Sequence, residues 1–346
     1  MKIGLNRKTT NYLLLFLAII FVFIIPLFLK SPTYLQIMIL LFFYAYLTTS
    51  WNLVGGFAGV LPLGHSAFVG IGAYTSTILY LHYGLSPWIG MFAGGLLAAL
   101  VGVIIGKPTF QMRGAYFALT TIAIGEGIRV MVENINKIGP FTVNGPRGLL
   151  IPLKGTSFVN FQFLSKIPYY YIILTMLIIV LGITYIISRR RIGYYLAGGG
   201  EEPEAAQALG VNVAKYKLIA MAISCFLTAM AGTFYAQLML YFYPKGILGL
   251  DLSFEIAFIA LIGGRGTIAG PILGALVLRP VNEFSRIYLS GFLPGLHLVI
   301  FGLILIIVMI YQPRGIQEPL SKVYNLFVDK LEACLISRGR KKDEIS

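Results

Sequence analysis

Long apolar runs separated by short polar segments follow one another along almost the whole chain. The runs are continuous and lack the two-residue alternation of membrane strands. A helix needs about 20 apolar residues to cross a hydrocarbon core about 30 Å thick. The pattern therefore predicts an all-α polytopic membrane protein with about ten transmembrane helices, at 12–29, 34–54, 60–82, 87–106, 114–133, 168–188, 217–241, 251–263, 266–282 and 293–311.

Basic residues lie mostly at the ends of these runs. With the N-terminus in the cytoplasm, 18 of the 27 Lys and Arg fall in cytoplasmic segments, which the positive-inside rule favours. Both termini are then predicted to be cytoplasmic. This divides the chain into a transmembrane domain, 1–313, and a basic cytoplasmic tail, 314–346. The domain carries a cytoplasmic loop at 189–216 and an outer loop at 134–167.

Composition excludes several classes of protein. Apolar residues make up 58% of the chain and the mean hydropathy is +0.83, as in a protein whose partner is the lipid bilayer. The net charge of +14 is spread over span ends without interleaved aromatics, so we expect no nucleic-acid partner. No phosphate-binding loop, metal-spaced His/Cys cluster or nucleophile elbow occurs. We therefore expect no cofactor, no metal, no catalytic residue and no nucleotide site.

A small polar helix is predicted in the cytoplasmic loop. Pro203 suits the first helical position, acidic neighbours favour the positive end of the helix dipole, alanines favour helix, and a glycine suits the exit. A helix of about two turns, 203–210, would stand on a basic loop. Its candidate contact residues for a soluble partner are Glu202, Glu204, Ala205, Ala206 and Gly210.

Charged residues inside the spans are candidates for a translocation path. Glu126, Arg129 and Glu133 lie three and four residues apart on the fifth predicted span and share one face. Intramembrane charges normally point inward and pair. A polar path lining and a structural ion pair both fit this pattern, and Glu255 in the eighth span leaves the same two alternatives.

His65 and Ser66 follow a glycine near the inner membrane face. We include both as candidates for the path, although a lone histidine is more often a hydrogen-bonded packing residue than a ligand. Glycines within the spans are candidates for close helix packing: Gly70, and the four-residue series Gly266, Gly270 and Gly274, which would share one helix face.

Several blocks of sequence resemble one family. They are Pro62 to Tyr74, Arg113 to Leu119 with Gly125-Glu126, Asn144 to Leu149, Glu204-Ala205-Ala206 with Gly210, and Gly263 to Thr267 with Gly270-Pro271. In this order they resemble the LivM-type branched-chain amino-acid permeases of bacterial ABC importers over nearly the whole chain.

The resemblance implies an ABC importer permease fold in the bacterial cytoplasmic membrane. The chain would form half of a translocation path for branched-chain or related small amino acids. Its partners would be a second related permease subunit, two ATP-binding subunits that supply ATP hydrolysis, and an external solute-binding protein. The loop helix would contact an ATP-binding subunit. One departure from the family is the run Gly198–Gly200, which predicts a shortened helix or a mobile loop because glycine disfavours helix.

Other functions remain as alternatives. A related importer for urea or short amides would share the same blocks. A self-sufficient secondary transporter or channel would explain the intramembrane charges but not the loop helix. An integral membrane enzyme would need a cluster of reactive residues at one interface, and the sequence has none.

Overall fold

The computed structural model describes residues 20–26, 31–112, 114–289, 296–312 and 315–321. The first predicted span, 12–29, lies outside these ranges except for the helical residues 20–26. The predicted tail, 314–346, likewise lies outside them apart from 315–321, and so does Arg113.

The described residues are mainly helical. The helices are α1 (Pro32–Asn52), continued by a π turn (Leu53–Phe57), then α2 (Ser66–Tyr83), α3 (Pro87–Thr109), α4 (Ala115–Asn134), α5 (Ile167–Arg189), α6 (Arg191–Glu201), α7 (Pro203–Ala208), α8 (Val213–Met239), α9 (Pro244–Leu248), α10 (Leu250–Gly264), α11 (Gly270–Leu289) and α12 (Leu296–Tyr311).

Six helical segments in the described ranges are long and apolar enough to cross a membrane. They are Pro32–Phe57, Pro87–Thr109, Ala115–Asn134, Ile167–Arg189, Val213–Met239 and Pro244–Gly264. The predicted spans at 60–82, 266–282 and 293–311 correspond to α2, α11 and α12, which are helical but do not belong to these six. The chain is thus a helical membrane protein with several spans.

Helices α2, α3 and α8 pack tightly against one another. A Cβ atom on Gly94 of α3 would lie 3.1 Å from the Cα atom of Gly72 in α2. A Cβ on Gly102 would lie 2.6 Å from the Sγ atom of Cys225 in α8. Small residues at these crossings let helix backbones approach closely, which is how helices associate where no hydrophobic effect drives them together. Gly70 makes a similar close approach to the side chain of Leu248.

Helices α10 and α11 form an antiparallel hairpin. Gly263 lies against Gly270, and Gly274 lies against the backbone of Ile259 and Gly263. Gly266 is not on this helix face, so that prediction was wrong. It lies in the turn before α11 with a φ of +73°, where it approaches Gly56. The four-residue series breaks because the chain must reverse between Gly264 and Gly270.

The connecting segments gather at two opposite ends. At one end Gly59 lies against Gly200, which joins the turn after α1 to the loop that carries α6 and α7. At the other end the outer loop contacts the α2–α3 turn, where the backbone N–H of Thr142 donates to His82 Nε2 over 3.1 Å. Two short sheets lie in this second region: β1 (Lys137–Ile138) with β2 (Phe141–Thr142), and β3 (Leu149–Leu150) with β4 (Tyr241–Phe242). These strands are a small departure from the all-α prediction.

Candidate coupling and translocation sites

The predicted loop helix is confirmed as α7. Pro203 occupies its first turn, and Gly210 follows it with a φ of +84°. The N–H of Gly210 donates to Gln207 O over 2.9 Å, and that of Val211 donates to Ala206 O over 3.0 Å. These bonds close the helix as glycine-terminated helices close generally. The result is a short helix with a sharp, defined end.

Helix α7 presents most of its surface outward. Glu202, Glu204, Ala205 and Gly210 are exposed, whereas Ala206 is buried against the rest of the loop. Leu209, which sequence reasoning missed, is 85% exposed at the end of the helix. The sequence signal for it was a leucine next to the glycine that ends the helix, in a loop that is otherwise polar. The exposed part of α7 combines acidic groups with one large apolar side chain.

The glycine run before α7 is itself helical, although glycine disfavours helix. The helix that follows is short and begins at Pro203, as one of the two predicted alternatives had it. Helix α6 continues through the glycine run to Glu201. A Cβ on Gly199 would lie 2.8 Å from Val213 Cγ1, and a Cβ on Gly59 would lie 2.8 Å from Gly200 Cα. Tertiary packing outweighs the low helix propensity of glycine here, because only glycine lets α6 approach α8 and the Gly59 turn this closely.

A groove of about 660 Å³ lies beside α7. One wall consists of Pro203, Glu204 and their neighbours on α7. The opposite walls come from the Gly59–Val60 turn, the segment 110–112 after α3, and Lys217 at the start of α8. Segments from four parts of the chain thus line one groove beside α7.

His65 and Ser66 are both completely buried. The hydroxyl of Ser224 donates to Ser50 O over 2.6 Å, so its oxygen accepts from His65 Nε2 at 2.8 Å. Ser66 donates to Leu248 O over 3.0 Å, and Ser253 donates to Ser66 Oγ over 2.8 Å. These contacts join α2 to α1, α8 and α10 and favour the packing interpretation for both residues.

Glu126, Arg129 and Glu133 form an ion triad along α4. Arg129 lies 2.7 Å from a carboxylate oxygen of each glutamate, and the three side chains are 29%, 21% and 26% exposed. Helix α4 itself is the least buried of the six membrane-length segments, with 22% of its apolar window buried. The triad therefore lies on the margin of the subunit and not in its core.

Glu255 belongs to a second, deeper ion cluster. It pairs with Arg279 of α11 and accepts from Asn282 Nδ2 over 3.0 Å. Arg279 is only 8% exposed, lies 3.7 Å from Glu283, and stacks over the Tyr44 ring at 3.7 Å. The sequence prediction missed Arg279 and Glu283. Their four-residue spacing inside a span was a visible signal, but their partner Glu255 depends on how α10 and α11 pair.

These groups provide pairing and packing but no reactive centre. Within the described part of the chain, no group of three or more His, Cys, Asp or Glu side chains is placed to hold a metal ion.

Comparisons with known proteins agree with this arrangement. A family model described as "Branched-chain amino acid transport system / permease component" matches residues 33–309. LivM, the "High-affinity branched-chain amino acid transport system permease protein" of Escherichia coli (strain K12), is 28% identical over 90% of this chain and 76% of its own length. LivH of the same organism, with the same description, is 23% identical over 79% of this chain and 90% of its own length.

A third relative has a different named substrate. The "Nucleoside ABC transporter permease protein NupC" of Lactococcus lactis subsp. cremoris (strain MG1363) is 25% identical over 69% of this chain and 76% of its own length. No solved structure matches. Since the family model spans most of the chain and LivM resembles it over 90%, the chain belongs to the family of permease components of branched-chain amino acid transport systems.

Proposed function

We propose that this protein is a membrane-spanning permease subunit of an ATP-driven importer. It forms half of a translocation path for branched-chain or related small amino acids in the bacterial cytoplasmic membrane. The other half comes from a second related permease, the energy from two ATP-binding subunits, and the solute from an external binding protein. The likeness to both LivM and LivH, two permeases of one organism, supports a pair of related subunits.

The observation that carries the proposal is the way α7 is presented. It is a short exposed helix at the end of the molecule where α6, α8 and the Gly59 turn meet. Close glycine contacts hold α6, the helix directly before α7, against α8 and the Gly59 turn. An ATP-binding subunit that holds α7 through Glu202, Glu204, Ala205 and Leu209 would therefore move the helices with it.

The full topology belongs to the same proposal. Ten spans with both termini cytoplasmic would put α7 in the cytoplasm and the loop after α4 outside. The separation of these two segments at opposite ends of the molecule supports this arrangement. Asn144 to Leu149, in the outer loop, then faces the side from which solute arrives.

The position of the ion triad on α4 supports a path at the edge of the subunit. These side chains are about a quarter exposed, and exposing an ionised group to hydrocarbon costs free energy. Glu126 and Arg129 are therefore proposed to face water between the two permeases. Glu255 is proposed to support the same region from within, as part of its buried cluster. His65 and Ser66 hold helices together in this scheme.

The proposal is tested by reconstitution of the purified complex in vesicles, with uptake of labelled leucine, isoleucine and valine measured with and without ATP inside. We expect uptake that needs ATP, the binding protein and both ATP-binding subunits. Labelled nucleosides are tested in parallel because one relative is named for them. Nucleoside uptake with no amino-acid uptake would change the proposed substrate class but not the proposed mechanism. Uptake by this chain alone, without ATP, would establish a self-sufficient transporter and contradict the proposal.

A further inference from the structure

A compact turn in the loop between α4 and α5 ends in two exposed apolar side chains. The turn, Ser157–Gln162, is closed by bonds from Ser157 N to Gln162 O at 3.0 Å and from Gln162 N to Ser157 O at 3.3 Å. Phe158 and Val159 at its tip are 64% and 62% exposed. Gln162 is buried and bonds to Pro152 O through its side chain. The turn is therefore a fixed platform that presents apolar groups outward.

The first turn of α3 holds this platform in place. Trp88 Nε1 donates to Phe158 O over 2.8 Å, and Ser86 Oγ donates to Val159 O. The Trp88 ring stacks on Phe161 with a centroid distance of 4.4 Å and on Phe158 with one of 5.1 Å. Tryptophan at the end of a membrane helix normally lies at the level of the lipid headgroups. The tip is thus fixed at the height where α3 leaves the membrane.

Helix α3 carries an unbroken apolar stripe that leads to the tip. Its members recur every three to four residues and are each more than half exposed: Ile89, Phe92, Leu96, Leu100 and Ile104. The stripe extends about 22 Å along the helix at about 1.5 Å per residue, and α3 has the second highest mean hydropathy of the six membrane-length segments. Such an apolar helix face is suited to contact with the acyl chains of the bilayer. Phe158 and Val159 lie near the end of α3 at which this stripe begins, where Ser86 and Trp88 bond to them.

Four backbone groups of the tip are hydrogen-bonded within the protein. The carbonyl groups of Phe158 and Val159 accept from Trp88 and Ser86, and the N–H of Val159 donates to Ser157 Oγ at 3.3 Å. The N–H of Phe161 donates to Phe158 O at 3.2 Å. Backbone groups that are paired within the protein favour contact with lipid, because they need no water as a partner.

From these four features we propose that the turn Ser157–Gln162 is a lipid-binding anchor. Phe158 and Val159 insert among the acyl chains next to the headgroups of the leaflet on that side, and Trp88 lies beneath them at the interface. The anchor would hold the loop at a constant height above the path. This inference goes beyond transport and holds whichever solute is carried.

The test places an environment-sensitive fluorophore at single cysteines in protein reconstituted into phospholipid vesicles. The native Cys225 and Cys334 are first replaced by Ala. The label is attached through Phe158→Cys in one variant and through Val159→Cys in another. If one of the two variants fails to fold, the other still tests the proposal. Leu100→Cys on the α3 stripe is the hydrocarbon control, and Lys137→Cys on the exposed first strand is the water control.

We expect both tip labels to emit at shorter wavelength than the Lys137 label and to be quenched by lipids with a nitroxide near the headgroup. The Leu100 label should be quenched best by a nitroxide near the bilayer centre. Tip labels that match the Lys137 label, with no lipid quenching, would overturn the proposal. Tip labels that are shielded only after a soluble binding protein is added would assign the surface to a protein partner and overturn it as well.

Discussion

Gly199 offers a sharp test of how α7 is fixed to the membrane helices. Substitution Gly199→Ala places a Cβ 2.8 Å from Val213 Cγ1, which is closer than real Cβ contacts allow. Val213 is buried, and a β-branched side chain has few rotamers to which it can retreat. The matched control is Gly198→Ala, because no atom lies within 4 Å of a Cβ built on Gly198.

The two variants should change the stability of α6 in opposite directions. Alanine in place of a helical glycine gains roughly 0.5–1 kcal/mol of free energy when it meets nothing. Overpacking costs about 1–3 kcal/mol, so Gly199→Ala should lose about 1.2 kcal/mol net at the centre of these ranges and at most about 2.5 kcal/mol. With a tenfold change for each 1.4 kcal/mol, Gly198→Ala should slow local opening of α6 by about two- to fivefold. Gly199→Ala should speed it by about sevenfold, and at most by about 60-fold.

Amide hydrogen exchange of α6, measured by mass spectrometry on the protein in nanodiscs, reports this opening directly. The reference segments are α3 and α8, whose exchange should change little. Slower exchange in both variants would show that the glycines make a compliant linker without a packing role. That result would refute the argument that α7 stands on a rigid support.

The buried polar contacts allow further predictions. Arg279→Met should lower the stability of the protein by about 3–5 kcal/mol because it leaves carboxylates buried without their cation. The double variant Arg279→Met/Glu255→Gln should recover part of this loss in thermal unfolding, and additive losses would contradict the pairing. Ser224→Ala should cost about 1–3 kcal/mol because the His65 N–H loses its acceptor. Thr228→Val, one turn along α8, should be nearly neutral because its hydroxyl has no hydrogen-bond partner, and equal losses at both positions would argue against the Ser224 contact.

Sequence reasoning recovered the elements that depend on local pattern. The apolar runs predicted the long helices within four residues of their ends, except that α2 begins six residues later and α11 ends seven residues later than predicted. Pro203 with Gly210 located α7. Pro87 and Pro203 begin helices because the missing N–H costs nothing in the first turn. The family blocks led to the same family that the comparisons show.

What the sequence did not predict depends on contacts between distant segments. Gly199 is helical because Val213 packs on it, a contact that propensity does not contain. Arg279 pairs with Glu255 only because α10 and α11 run antiparallel about Gly263 and Gly270. Strand β3 forms because it meets β4 more than 90 residues later in the chain, at Tyr241–Phe242. Each of these needs a register that periodicity alone does not fix.

The central claim is that α7 transmits the work of ATP hydrolysis. The most direct measurement is the number of solute molecules imported per ATP hydrolysed by the reconstituted complex, compared for wild type, Glu204→Lys and Asp251→Lys. Both substitutions reverse one exposed acidic charge, but Asp251 lies at the start of α10, next to the Ser253–Ser66 contact, and not on α7. We predict a large fall in this ratio for Glu204→Lys alone, with membrane insertion unchanged. An unchanged ratio for Glu204→Lys, or an equal fall for both variants, would contradict the account.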